Sequence, residues 1–457
     1  MTEQDFLPAL THPLAYVRSV RGWSAATLLR VIADTASDDF GIALSSSDRS
    51  KVYRWERLGV VPEPLAQRAL ARALDVAEER LVAEPWPRWL PAFDGMEPAP
   101  EWSATAALDA VAGAVSGGLT DRRGFLGITG PALVTLAEDW LRVEPARLVG
   151  ALDGRFAVDE EIVASIERQT LVLRRLDDRF GGPTLSSTAA AQLRLVVDLL
   201  RDGAYSEAVG QRLFGAAASL GQFAGWRAYD AGQHFATQRF YRAGLQAAHA
   251  AHDVSLGAYL VASLGYQALE LGHGVEARTL AEAAVEGARR SPSTRARALL
   301  CGYLALAYAA TGDRSGAARA IDEAGALAQR PSSDDPSWAY WFDESYLTAF
   351  AARSNLLLGD GRRAAPGFTA FLATLDDGYV RERTVQLIWL AEALFISGEV
   401  DQACEAAAQA GESAAAVASH RAHRKLHELA ARITFAHSTA SPVRDLQERL
   451  SAVRQLR

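Results

Sequence analysis

The side chains of this chain that are best suited to contact a ligand are arginines and hydroxyls on one short predicted helix. Ser47 or Asp48 caps this helix, and Val52 and Trp55, three residues apart, face inward. Arginine can donate two hydrogen bonds to guanine, and Ser or Tyr hydroxyls can reach phosphates or bases. The pattern therefore predicts a DNA-contacting surface made of Ser47, Arg49, Ser50, Lys51, Tyr53, Arg54 and Arg57.

Positive charge is concentrated around this helix although the whole chain is acidic. Residues 47–72 hold six basic and three acidic side chains, whereas the 457-residue chain has a formal charge of −8. A protein of this net charge is not a general nucleic-acid binder, so contact with DNA must come from a local patch. Within the patch we expect Lys51 and Arg57 to contact phosphates, and Arg49, Ser50, Tyr53 and Arg54 to lie near the DNA.

Further helices are predicted on both sides of this segment. One covers residues 14–21, and Ser24 caps a second from Ala25 to about Thr35. The apolar face of this second helix consists of Leu28, Leu29, Ile32 and Ala36. After the segment, Pro62 and Pro64 precede an Ala- and Leu-rich helix over residues 65–74. Taken without this context, the segment would equally fit a solvated helix with ordinary surface arginines.

The order of these helices resembles the DNA-binding core of the XRE (repressor/Cro-type) helix-turn-helix family over residues 12–82. The resemblance implies that the segment Asp48–Gly59 is a recognition helix for the major groove of double-stranded DNA. It also implies a homodimer that reads two half-sites. The chain departs from the family by inserting about a dozen residues around 37–46, where the family has a tight turn. The stretch Asp48–Glu56, together with Gly59-Val60-Val61-Pro62, resembles a subgroup of large actinobacterial regulators that carry this insertion and a C-terminal helical-repeat region.

The second half of the chain alternates Ala/Leu-rich helices with short glycine turns. Five turn glycines, at positions 232, 272, 312, 359 and 398, are separated by 40, 40, 47 and 39 residues. Small residues (Gly225, Gly265, Ala305, Ala352 and Ala391) stand seven places before them. Five places after them stand Thr237, Ala277, Ala317, Ala364 and Ala403, which would let paired helices approach closely. The pattern resembles tetratricopeptide repeats with lengthened helices, whose usual period is about 34 residues. An irregular helical bundle is the alternative.

Arrays of tetratricopeptide type form a curved scaffold whose concave face binds peptides, proteins or small molecules. The first helix of each repeat lines that face. Its polar and aromatic residues would form a groove for an effector or partner: Gln222, Trp226, Tyr229, Tyr259, Tyr266, Glu270, Tyr346 and Arg353. An aromatic cluster, Trp338–Phe342, precedes the fourth repeat. Packing between repeats is the other reading of these aromatics.

The predicted fold is all-α, with a helix-turn-helix domain at residues 8–93, a helical linker region at 94–184 and a tetratricopeptide-like α-solenoid with capping helices at 185–457. The two cysteines, Cys301 and Cys404, sit in Ala-rich helices and are expected to be buried thiols. His420, His423 and His427 share a helical face but lack an obvious further ligand, so no metal or other cofactor is predicted. No apolar run reaches the roughly 18 residues of a membrane span, and no signal peptide is recognisable. We therefore expect a cytoplasmic protein that does not contact a membrane.

Two functions fit this sequence. The first is a sequence-specific transcription regulator, in which the repeats sense a ligand or partner and mediate dimerisation. The second is an adaptor that has lost DNA binding and recruits protein partners through its repeats. The chain has no GxxxxGK[ST], HExxH or GxSxG motif, so nothing in it indicates an enzyme.

Overall fold

The computed structural model is almost entirely helical. It describes residues 14, 17–18, 23–57, 60–74, 76–83, 86–87, 89–90, 101–116, 130–145, 148, 150–151, 153–179, 183–330, 332–415, 417 and 419–455. The all-α class predicted from the sequence is confirmed. A single parallel pairing of two-residue strands interrupts the described helices, β1 (Phe156–Ala157) with β2 (Gly203–Ala204).

The chain divides into two compact units. The first is built mostly from residues 1–99, and the second mostly from residues 100–122, 134–270 and 274–457. Four helices are described in the first unit: α1 (Ala25–Phe40), α2 (Ser50–Arg57), α3 (Pro64–Ala73) and α4 (Glu78–Ala83). Their buried core includes the predicted apolar face of α1 and both inward residues of α2, Val52 and Trp55.

Helix α1 continues five residues beyond its predicted end. Ser24 caps its start by accepting a hydrogen bond from the backbone N–H of Thr27, as expected. Ala36 and Phe40 are one turn apart on the inner face, and both belong to the core or pack against it. Continuing the helix therefore buries both residues. It ends at Gly41, which adopts a left-handed conformation with φ of 67°. The first four residues of the predicted insertion, 37–40, are thus helical, and the remaining connection covers residues 41–49.

The second unit begins with α5 (Ala104–Ser116), α6 (Gly130–Arg142), α7 (Glu160–Arg179) and α8 (Pro183–Asp202). Six consecutive helix pairs follow. They are α9 (Glu207–Asp230) with α10 (His234–Ala250), α11 (Val254–Glu270) with α12 (Gly274–Gly287), α13 (Thr294–Ala310) with α14 (Arg314–Ala328), α15 (Glu344–Leu357) with α16 (Gly361–Thr374), α17 (Val380–Ile396) with α18 (Val400–Ala414), and α19 (His420–Ala436) with α20 (Ser441–Gln455).

Each of the five glycines predicted to form turns occupies the middle of a three-residue connection inside a helix pair. All five have φ between 75° and 85°, in the left-handed region that glycine adopts without steric cost. After Gly232, Gly312, Gly359 and Gly398, the next residue donates its backbone N–H to a carbonyl five residues back, as Asp313 does to Tyr308 over 2.9 Å. This closes the end of the first helix and reverses the chain.

Small residues bring the helices of a pair close together, as the sequence predicted. A Cβ atom at Gly225 of α9 would lie 2.4 Å from the ring of Tyr241 on α10. At Gly265 of α11 it would lie 3.2 Å from Cβ of Leu280 on α12. The spacing of 47 residues between Gly312 and Gly359 also has a structural cause. A long connection between α14 and α15 carries a 3-10 turn over Ser337–Ala339.

Two simpler expectations can be compared with the structure. Cys301 and Cys404 are buried free thiols, as predicted. Within the described part of the chain, no helix has the length and apolar character needed to cross a membrane.

Candidate functional site

A cavity opens among the first helices of the pairs in the second unit. Its lining residues come from α7, α9, α11, α13, α15, α17 and α19 and from the connection before α15. The cavity has a volume of about 140 Å³. That is smaller than the clefts of roughly 300–1,000 Å³ that hold drug-sized ligands. The size therefore suits a molecule smaller than those ligands.

The structure places most of the predicted groove residues on the wall of this cavity. Six of the eight line it: Gln222, Trp226, Tyr259, Tyr266, Tyr346 and Arg353. The other two lie directly behind the wall. The ring centroid of Tyr229 is 5.6 Å from that of Trp226, and Glu270 forms an ion pair with Arg353 over 3.4 Å. The aromatic cluster before α15 contributes Tyr340 and Trp341 to the lining.

Buried ion pairs support one side of the wall. The carboxylate of Asp177 lies 2.7 Å from Arg227 and 2.8 Å from Arg381. Arg227 also reaches Asp230 over 3.4 Å, and Asp230 is 3.5 Å from Arg421. Burial alone would raise the pKa of Asp230, but the neighbouring guanidinium groups hold it below its usual value. Because these residues come from α7, α9, α17 and α19, the pairs fix four helices around the cavity.

A second cluster surrounds Glu270 at the end of α11. Lys425 lies 2.6 Å from one carboxylate oxygen, and Arg353 lies 3.4 Å from the other. Burial alone would raise the pKa of Glu270, but Lys425, Arg353 and Arg421 together lower it to about 2. The guanidinium of Arg353 also lies 4.6 Å above the ring of Trp389. Its orientation on the wall is thereby fixed from two sides.

Asp178 is an exception to this pattern, because its pKa moves upward. Burial raises the pKa of Asp178 to about 6, against the opposing effects of the Tyr340 hydroxyl and Arg381. Tyr340 donates its hydroxyl hydrogen to the carboxylate. Asp178 also forms an ion pair with Arg381, over the longer distance of 3.7 Å. The side chain thus gains a proton in the slightly acidic range.

We expect Asp178→Asn to reduce the pH dependence of stability. The native state keeps a proton on Asp178 up to about pH 6, whereas the unfolded chain loses it near 3.8. The carboxyl group therefore contributes stability that is fully present below pH 3.8 and is lost as the pH rises through 6. The difference in unfolding free energy, wild type minus variant, should fall by roughly 2 kcal/mol between pH 4 and 7. Denaturant unfolding at pH 4, 5, 6 and 7 measures it, and a constant difference would contradict the assignment.

Several polar atoms on the cavity wall have no hydrogen-bond partner among the described residues. They include the side-chain oxygens of Gln222 and Gln386 and the indole nitrogen of Trp389. All three side chains are at most 7% exposed. The amide nitrogen of Gln386 donates to Glu382 over 2.8 Å, which leaves its oxygen free to accept. Buried polar groups without partners are costly, so each of these atoms is a candidate contact for a bound molecule.

Sequence reasoning missed an essential part of this wall. Arg174, Asp177 and Asp178 lie on α7, which the sequence assigned to the linker region, and Arg381 and Arg421 were not singled out. The available signal was weak: charged residues at 174 and 177 stand at the spacing of the apolar face of α7, next to the buried Leu173. Only their burial, at most 8% exposed, distinguishes them from ordinary surface charges.

The predicted DNA-contacting residues lie on or just before α2 in the first unit. Ser47, Arg49, Ser50 and Tyr53 are exposed, the last at 60%, whereas Lys51 and Arg54 are partly buried. Arg57 ends the helix, and its side chain lies outside the described residues. Asp48 caps the helix by accepting the backbone N–H of Ser50 over 3.0 Å. The chain therefore presents the polar side of α2 to solvent and buries the other side.

Two ion pairs hold α2 in place. Arg18, in the helical segment before α1, contacts both carboxylate oxygens of Glu56 at 2.9 and 3.2 Å. Arg54 lies 3.2 Å from Asp48 at the start of the helix. The Ser50 hydroxyl and Arg54 lower the pKa of Asp48, the hydroxyl contributing more. Asp48 thus engages one terminal nitrogen of Arg54, and a base or phosphate would compete with this carboxylate for that nitrogen.

Comparison with protein-family models gave no match, and comparison with the curated proteins gave none either. In the part of the chain that the structure describes, no three His, Cys, Asp or Glu side chains are grouped so that they could hold a metal ion.

Proposed function

We propose that this protein is a sequence-specific DNA-binding transcription regulator whose repeat unit binds an effector. The observation that carries the proposal is the two-sided character of α2. Val52 and Trp55 anchor one side in the core, while Arg49, Ser50 and Tyr53 remain exposed on the other. A helix anchored in this way can present side chains to base edges without losing its packing. The alternative of a solvated helix gives no reason for this concentration of arginine on an acidic protein.

The first unit is compatible with an XRE-type domain. Helix α1 ends at Gly41, α2 follows after a connection, and α3 begins at Pro64, as in the order that the family resemblance implies. Arg49, exposed just before α2, and the partly exposed Arg54 on α2 would face the phosphates and bases of the major groove. In this arrangement Arg49 and Arg54 read bases, and Lys51 and Arg57 contact phosphates.

The second unit supports the effector half of the proposal. Its consecutive helix pairs, each reversed at a glycine, are compatible with a tetratricopeptide-like solenoid. The cavity draws its lining from the first helix of successive pairs, so a ligand there would contact several repeats at once. Ligand binding would then favour one arrangement of the repeats and shift the population between DNA-competent and DNA-incompetent states.

Selection of bound fragments from sheared genomic DNA of the source organism tests the proposal. The wild type should enrich a shared, two-fold symmetric site, and Arg49→Ala/Arg54→Ala should not. Light scattering should give the mass of a homodimer, because half-sites lie about one helical turn apart. A monomer mass, both free and on the selected DNA, would remove the dimer from the proposal.

The ion pair between Arg54 and Asp48 favours a second candidate, an adaptor without DNA binding, because it occupies an arginine that would read a base. Salt dependence separates the two. A regulator that displaces counterions from several phosphates should show a log–log slope of affinity against salt near −0.9 per contact. An adaptor should show no such dependence of DNA affinity on salt concentration.

A further inference from the structure

Arg174 differs from the other arginines on the cavity wall. Arg353, Arg381 and Arg421 each lie within 4 Å of a carboxylate, whereas Arg174 has none at that distance among the described residues. Its side chain is only 8% exposed. One terminal nitrogen donates to the backbone carbonyl and hydroxyl of Ser219 at 2.9 and 3.3 Å, and its Nε has no acceptor in the part described. Burial lowers the pKa of Arg174, and the opposing effects of Tyr259, Tyr340, Asp178 and Asp177 only partly offset it.

The neighbouring ion-pair network provides no direct counterion for Arg174. It joins three carboxylates to three guanidinium groups: Asp177, Asp178 and Asp230 with Arg227, Arg381 and Arg421. The carboxylate of Glu382, also on the wall, accepts from Gln386 and forms no ion pair with Arg174 among the described contacts. Asp177 and Asp178 therefore act on Arg174 only from beyond ion-pair distance. A buried cation without a counterion is strongly unfavourable, so an anion beside it would be stabilised.

The rest of the wall indicates what should be attached to that anion. Eleven of the 23 lining residues are aromatic and only three are aliphatic, although aromatic residues make up 8% of the chain. Aromatic faces and edges favour a flat, conjugated ligand over a flexible alkyl chain. The space of about 140 Å³ is close to that of an engineered cavity of ~150 Å³ that holds benzene, so one aromatic ring fits.

The unpartnered amide oxygens supply a third requirement. Gln222 and Gln386 each present a buried side-chain oxygen without a donor among the described residues, and both residues line the cavity. A ligand with an N–H or O–H group would satisfy one of these acceptors. A purely apolar aromatic acid would leave both without a partner.

We propose that this cavity binds a small aromatic carboxylate that also carries an N–H or O–H donor. Its carboxylate would pair with Arg174, its ring would lie among the aromatic side chains, and its donor would reach Gln222 or Gln386. This inference rests on the proposed effector role of the repeat unit, but its test requires no DNA. Failure of ligand binding and failure of DNA binding can therefore be told apart.

Calorimetric titration of the full chain tests the inference with two pairs of probes. The acids are indole-3-acetate and 4-hydroxyphenylacetate, and the matched neutral compounds are their primary amides. At least one acid should bind with Kd tighter than about 1 mM, and its amide should bind at least tenfold more weakly. Arg174→Met should weaken the acid at least tenfold and leave the amide unchanged. Arg168→Met is the matched control, because Arg168 is an exposed arginine on the same helix and should bind as the wild type does.

Three results would overturn the inference. The first is that neither acid binds the folded wild type in the millimolar range. The second is that acid and amide bind equally well, which would deny any role to the ligand's charge. The third is that Arg174→Met and Arg168→Met have the same affinity for the acid. The comparison of acid with amide uses the wild type alone, so the test stands even if Arg174→Met does not fold.

Discussion

Replacing Arg227 by alanine should lower the free energy of unfolding of the second unit by about 3–5 kcal/mol. Arg227 is 2% exposed and lies between two nearly inaccessible carboxylates, Asp177 at 2.7 Å and Asp230 at 3.4 Å. Without Arg227, both carboxylates keep their negative charge in a region that excludes water, and less positive charge remains nearby to stabilise them. Denaturant unfolding followed by circular dichroism measures the loss.

A matched control separates burial from ion pairing as such. Arg212 is on the same helix, α9, and pairs with Glu167 over 2.7 Å, but both side chains are more than a third exposed. Arg212→Ala should cost at most about 1 kcal/mol, because water and salt screen an exposed pair. Equal losses in the two variants would contradict the central role of the buried network.

Arg227→Met distinguishes charge from packing. Methionine keeps much of the arginine volume but supplies no positive charge. It should therefore be nearly as destabilising as alanine, because the carboxylates still lack their shared cation. Recovery of most of the wild-type stability in Arg227→Met would show that packing, not charge, dominates at this position.

The double variant Arg49→Ala/Arg54→Ala should weaken binding to the selected DNA site by roughly 2–6 kcal/mol, if each arginine reads a base and contributes about 1–3 kcal/mol. Arg49 is exposed, and Arg54 is 43% exposed, so the change should leave folding largely intact. Fluorescence anisotropy at one fixed salt concentration measures the affinity, since the salt concentration strongly changes such values.

A second double variant controls for net charge. Arg289→Ala/Arg290→Ala removes the same two charges from exposed positions in the second unit, where the side chains are 71% and 67% exposed. Its affinity for the selected site should stay near the wild-type value. A similar loss in both double variants would mean that overall charge, and not a contact made by α2, governs binding. Retained affinity in Arg49→Ala/Arg54→Ala would remove the base-reading role.

The local features of the fold could be predicted from the sequence because each depends on a few neighbouring residues. Ser24 caps α1 through a side-chain bond to a residue three places away, and Val52 and Trp55 share a helical face by their spacing. The prediction for α1 failed only at its end. There the burial of Phe40 against residues of other helices outweighed the polar residues between Ala36 and Gly41.

The candidate site was predictable on one side only. Its aromatic and polar residues on α9, α11 and α15 follow from the repeat pattern, which indicates the first helix of each pair. The charged residues that complete the wall do not follow from this pattern. Arg174 and Arg381 resemble surface arginines in the sequence. The local signal for Arg174, its place on the apolar face of α7, is too weak to separate it from the exposed Arg168.

The sequence by itself determined where the helices of the second unit reverse and how closely they pair. Glycine at the turns permits positive φ, and small residues such as Gly225 permit close approach, whatever the rest of the chain does. The tertiary structure alone decided which charges meet. Arg421 reaches Asp230 across 191 residues of chain. Burial raises the pKa of both Asp178 and Asp230, and the guanidinium groups packed around Asp230 reverse the shift only there. Such pairs depend on the stacking of helices that are distant in sequence, and no local spacing encodes that stacking.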